Sequence, residues 1–179
     1  HLGYAEAALR VNHEMLELAR SIDHPFSLAY ALHHTSWLHQ YLGLPAQTLA
    51  VSGEQIRFAR DQGFPLFHAT GIIYEAAVSL LRGHVKAALP GLIRGLDAYR
   101  GTGAALALPY YFGLLGSALI GSKRLRDADN ALNMALAVVE KSLDRCHEAE
   151  LYRLKGELAL CEGQSPVMAE DHFRRSIEI

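Results

Sequence analysis

Residues 25–64, PFSLAYALHHTSWLHQYLGLPAQTLAVSGEQIRFARDQGF, decide the fold. Two helix-length segments lie here, Pro25–Leu42 and Pro45–Gln62, each opening on a proline and followed by a glycine, Gly43 or Gly63. Proline suits the first helical turn, where no amide donor is needed, and glycine suits the position just past a helix end. Ser36 lies in the first segment, and Thr48 and Ile56 lie in the second. These three positions form a pattern that recurs along the whole chain.

Small residues stand at Ser36, Ala76, Gly116 and Gly156, each forty residues after the last. A second set lies at Thr48, Ala88, Ala128 and Ala169, preceded by Ala8, and an apolar set at Leu16, Ile56, Leu96, Leu136 and Ile177. Three registers with one period define an internal repeat. Each period divides into a first and a second amphipathic helix. The first helices are expected over Pro25–Leu42, Pro65–Arg82, Ala105–Gly121 and Asp144–Glu162. The second are expected over Tyr4–Ile22, Pro45–Gln62, Val85–Arg100, Arg124–Ser142 and Pro166–Ile179. Apolar spacing at three- and four-residue steps, as at Leu9, Met15, Leu16 and Ala19, supports helices, and strand-type alternation is absent. Gly83, Gly101 with Gly103, and Gly163 continue the punctuation. Pro90 is expected to bend its helix unless that helix begins later. The small residues are expected to face one another where helices cross, so that a larger side chain at Gly116 or Gly156 costs about 1–3 kcal/mol. The fold class is therefore all-α: a solenoid of about nine helices in antiparallel pairs, forming a single domain over 1–179. No pair could bury its apolar face alone.

This pattern resembles the tetratricopeptide repeat family, whose small-residue positions map onto the two sets above and onto Gln55, Gly95, Ala135 and Ser176. Its large fourth position maps onto Leu32, Ile72, Phe112 and Tyr152. Gln55 departs from the small-residue rule, and the period of forty exceeds the family's usual thirty-four. The stretches Glu148–Leu158, Phe173–Ile177 and His24–Leu32 are also similar to the carboxy-terminal repeats of large bacterial signalling ATPases. That resemblance implies a piece of a larger multidomain protein and transfers no catalytic residue. The lack of polar caps at the start of the repeat points the same way.

The family's groove positions, carried over, are Tyr30, His33, Trp37 and Tyr41; then Thr70, Ile73 and Ala77; Tyr110, Gly113 and Ser117; and Glu150, Arg153 and Glu157. One end of this set is aromatic and the other charged. The Lys and Asn clamp of the family's chaperone adaptors is absent, since His33, Trp37, Ile73, Ala77, Gly113 and Ser117 hold its positions.

Other chemistry finds little support. The net charge of −2 argues against a nucleic-acid binder. His33, His34 and His39 do not have the i, i+4 spacing of a helical zinc pair. Consecutive residues Cys146, His147 and Glu148 diverge on a helix instead of converging as a nucleophile and its base must. Gly116–Lys123 ends a helix, unlike a phosphate loop, and Ser122 separates Gly121 from the lysine. Cys146 and Cys161, about 22 Å apart if they share a helix, are too distant to bridge. As buried thiols they would suit a reducing compartment. No run reaches membrane-spanning length, and no secretory signal pattern opens the chain. The sequence therefore predicts a cytoplasmic module that is not an enzyme and needs no cofactor or metal. Its expected partner is a protein or peptide, another domain of the same polypeptide included, and neither nucleic acid nor membrane. A groove for a small effector of a transcriptional regulator is the alternative. Oligomeric state is open.

Overall fold

The computed structural model describes residues 3–142 and 145–179. Among them are nine helices and no strand: α1 (Ala5–Ser21), α2 (Pro25–Tyr41), α3 (Pro45–Asp61), α4 (Pro65–Leu81), α5 (Val85–Gly101), α6 (Leu108–Gly121), α7 (Leu125–Ser142), α8 (Glu148–Cys161) and α9 (Pro166–Glu178). The all-α class and the sequential helix pairing agree with the repeat. None of the described helices is long and apolar enough to cross a membrane.

The chain divides into two compact units, His1–Ala104 with α1 to α5 and Ala105–Ile179 with α6 to α9. In the first unit each helix packs on the next, and α2 also packs on α4. Among the described residues, the backbones of α1 and α3, and of α3 and α5, do not come close, although Arg20 of α1 pairs with Glu54 of α3 at 3.0 Å. The first helices of successive pairs therefore gather on one side while the second helices splay. Burial follows this arrangement: α4 buries eight of its residues and α1 only two. The second unit shows the same pattern, with α6 against α8 and no such approach of α7 to α9.

The turns explain why the pairing is so regular. Asp23, Gly43, Gly63, Gly83, Gly103, Lys123 and Gly163 all have positive φ, and each falls on one series spaced by twenty residues. Position 143, next in that series, lies outside the described residues. At Gly43 the backbone N–H donates to Gln40 O and that of Leu44 to His39 O, at 3.1 and 2.9 Å. This pair of bonds satisfies carbonyls that the helix end would leave bare, and it requires the left-handed backbone that glycine adopts without penalty. The same pair closes the turns at Gly63, Gly83, Lys123 and Gly163.

Several expectations need correction. α6 starts at Leu108, not Ala105, because Pro109 has no N–H to give Ala105 and is confined to a first helical turn. Ala107, at φ 60, turns the chain into it. α8 starts at Glu148, and the expected start at Asp144 lies outside the described residues. α5 does not begin late: Pro90 sits inside it, so the carbonyl of Lys86 loses its usual donor. Both cysteines are exposed rather than buried, and only Cys161 is helical.

The small residues do permit close crossing, but their partners are mostly large. A Cβ on Gly116 would stand 2.7 Å from Leu132 Cδ2, and one on Gly156 would stand 2.6 Å from the Phe173 ring. Among the described glycines, Gly91 opposite Ala76 makes the small-on-small contact expected from the sequence.

Candidate functional site

In the first unit, α2 carries an aromatic ladder. Tyr30 stacks on His34 with ring centres 4.1 Å apart, His34 lies 6.1 Å from Trp37, and Trp37 lies 6.0 Å from Tyr41. Spacing of three and four residues places these rings along one helix face. Tyr30 and Tyr41 are 48% and 41% exposed, and His34 and Trp37 are half-buried. The ladder is therefore open to a partner along its length. His34 Nδ1 lies 3.0 Å from Tyr30 O, and a carbonyl only accepts, so this nitrogen donates the bond.

Beneath the ladder lies a second, buried layer. His33 is only 8% exposed, and its ring packs against Trp37, Phe67 and Tyr74 at 5.6–5.9 Å. Its Nδ1 lies 3.1 Å from Thr70 Oγ1. Gln55 reaches across from α3, its Nε2 donating to Phe67 O at 2.7 Å and to Thr70 Oγ1 at 2.9 Å. Burial, reinforced by the neighbouring His34, pushes the His33 pKa down to about 3, so the imidazole is neutral at ordinary pH. His33 fixes α2 to α4 and offers little contact surface. Ile73 is fully buried and lies under Gly95, so it too belongs to the packing.

An apolar cavity of about 800 Å³ opens beside the ladder. Trp37, Tyr41 and His34 form one wall, and Tyr4 with Ala8 and Val11 of α1 forms the other. The sequence reading missed the α1 wall because it placed the groove on first helices alone. It also passed over Phe26, which is 53% exposed and packs edge-on against Phe64 and Phe67 at 5.9 and 5.5 Å. The forty-residue register was the available signal, since it makes every contact between α2 and α3 a guide to what α1 offers.

No family model matches the chain, and neither does any curated protein.

In the second unit Tyr110 packs on the His147 ring at 4.9 Å, on the first-helix side. Arg153 is held by two carboxylates of its own helix, with Nε 2.6 Å from Glu150 Oε2 and Nη1 2.5 Å from Glu157 Oε1. The hydrogen bond with Glu150, above all, raises its already high pKa. Two carboxylates around one guanidinium leave a net negative patch, suited to a cation or hydrogen-bond donor rather than to a terminal carboxylate. The structure thus brings Tyr30, His33, Trp37 and Tyr41 together on α2 in the first unit, while Ile73 is buried under Gly95. It brings Arg153 and Glu157 together in the second, where Tyr110 makes its own contact with His147. Among the described residues, no group of three or more His, Cys, Asp or Glu side chains converges as a metal site would require.

Proposed function

We propose that this chain is a polypeptide-binding scaffold of the tetratricopeptide kind, a regulatory module of a bacterial signalling protein, that works without catalysis. One observation carries the reading: the Tyr30–His34–Trp37–Tyr41 ladder stays open along α2 while a neutral, hydrogen-bonded layer beneath holds it rigid. Aromatic anchors on a fixed support lose little entropy when a partner docks, and Trp and Tyr dominate binding energy at such surfaces. Its partner is a protein or peptide segment, either another protein or another part of the same polypeptide.

The test is calorimetric titration with the other domains of the polypeptide, repeated with Trp37→Ala. Binding should weaken by at least about 2 kcal/mol, roughly thirtyfold, in a variant whose helical content is intact. Unchanged affinity alongside lost stability would make Trp37 a packing residue and sink the proposal.

The apolar cavity supports a second reading, a pocket for a small effector, since its volume falls in the range of ligand sites. Saturable binding of a metabolite, with no binding of the polypeptide domains, would favour it.

A further inference from the structure

We infer that the cavity beside Trp37 is the seat of one more first helix, supplied by the polypeptide immediately ahead of Gly3. This rests on reading the α2 face as a polypeptide-binding surface, and it names the segment held at one end of that face.

The first support is register. Moved forward by forty residues, Ala8, Val11, His34, Trp37 and Leu38 become Thr48, Val51, Tyr74, Ala77 and Val78. That later seat is filled by α2. The His33 ring lies 5.6 Å from Tyr74, and α2 packs on both α3 and α4. Under α2, Thr48, Tyr74 and Ala77 are fully buried and Val78 is 2% exposed. Their counterparts Ala8, His34, Trp37 and Leu38 are only half-buried, and Val11 is 58% exposed. The same surface is thus built twice and covered once.

The second support is the backbone ahead of α1. Gly3 has φ 81, and Tyr4 has φ −92 and ψ 65. Gly43 has φ 65 and Leu44 φ −103 and ψ 75; Gly83 has φ 75 and His84 φ −89 and ψ 59. Both of those pairs join the end of a first helix to the start of a second. Gly3 and Tyr4 thus share the backbone conformation of both pairs, in step with the twenty-residue series.

The chemistry of the seat specifies the occupant. Among the described residues, its walls carry no acidic or basic side chain other than the His34 imidazole, so they suit an apolar helix face. Trp37 stands where the later seat has Ala77, while Ala7 and Ala8 stand where it has Gln47 and Thr48. The incoming helix must carry glycine or alanine where it crosses Trp37, and it can settle closer to α1 than α2 does to α3. A second copy of the chain is a poorer occupant, because each of its first helices is already packed within its own pair.

The test compares residues 1–179 with the polypeptide carrying the forty residues encoded ahead of His1. Trp37 is the sole tryptophan, so its emission reports the cavity directly. In the longer protein the emission should shift to the blue, and amides of Ala5–Val11 should exchange about tenfold slower or more. Ala8→Glu, which points a charge into the seat, should abolish both changes in the longer protein and leave the fold of 1–179 intact. Unchanged emission and exchange, or a preceding stretch that is absent or not helical, would overturn the inference. A blue shift of 1–179 that grows with its own concentration would also overturn it, in favour of a second copy. If the extension leaves Trp37 open while separate domains of the polypeptide shift its emission, this inference fails and the scaffold reading stands. If neither moves it, both fail.

Discussion

The Nδ1 of His33 on α2 and the Oγ1 of Thr70 on α4 lie 3.1 Å apart, buried between two first helices. Burial holds the folded His33 pKa near 3, against an ordinary value of 6.5. Between those values the unfolded chain takes up a proton that the folded chain refuses. The stability that neutral His33 allows is therefore complete above about pH 6.5 and is lost as pH falls toward 3. Moving from pH 7.5 to 4.5 should cost the wild type about 2–3 kcal/mol more than it costs His33→Leu. Urea unfolding at both pH values checks this; equal losses in the two proteins would remove His33 from the account.

Gly95 sits at a crossing in the first unit that is closed off by backbone atoms. A Cβ there would stand 2.7 Å from Ile73 Cγ1, 3.1 Å from Ile73 N and 3.2 Å from Ala69 O. Two of those atoms are backbone and cannot swing aside. Gly95→Ala should destabilise by about 1–3 kcal/mol even though alanine is the better helix former. Gly53→Ala is the control, because its Cβ would meet only Arg57 Nη1 at 3.5 Å. That change should stabilise by up to about 1 kcal/mol. Denaturant midpoints for the two variants should move in opposite directions.

Lys123 occupies the left-handed turn position that glycine holds at residues 43, 63, 83, 103 and 163. A side chain in that conformation costs on the order of 1 kcal/mol. Lys123→Gly should recover about that amount, less the greater freedom of glycine in the unfolded chain. The lysine side chain gives up little in return, since its Nζ reaches Cys161 Sγ only at 3.9 Å. A lowered melting temperature would contradict this reading of the turn.

Gln55 breaks the small-residue rule of the repeat, so replacement by alanine looks harmless in sequence terms. The structure predicts the opposite. Its amide satisfies Phe67 O and Thr70 Oγ1 in a fully buried position. Gln55→Ala should cost about 2–3 kcal/mol through the missing hydrogen bonds and the cavity left behind. Part of this is offset because Gln55 Oε1 has no hydrogen-bond partner among the described residues. A thermal melt of unchanged midpoint would mean that water replaces the amide fully.

Periodicity made the helices and their pairing legible, because a forty-residue recurrence of small and apolar residues has few architectural solutions. Proline and glycine fixed most boundaries for stereochemical reasons, as at Pro25, Gly43 and Pro45. The reading failed where a proline's requirement outweighed apolar spacing, as at Pro109, which delays α6. It also failed for burial at helix ends, where Cys146 and Cys161 look apolar yet lie exposed. Of the candidate site, Tyr30, Trp37 and Tyr41 came from the groove positions that the family resemblance implies. The removal of His33 and Ile73 from the accessible surface did not, because it depends on how closely α4 approaches α2 and α5.

The spacing of the turns has a consequence for how such a chain can change length. Each of α1 to α5 has seventeen residues, and the turns between them have three. One residue inserted within a helix would rotate everything beyond it on that helix by about 100°, carrying core positions to solvent. Growth and shrinkage are therefore tolerated in whole modules of forty residues, and the gene can lengthen or shorten this region only in steps of about one hundred and twenty bases.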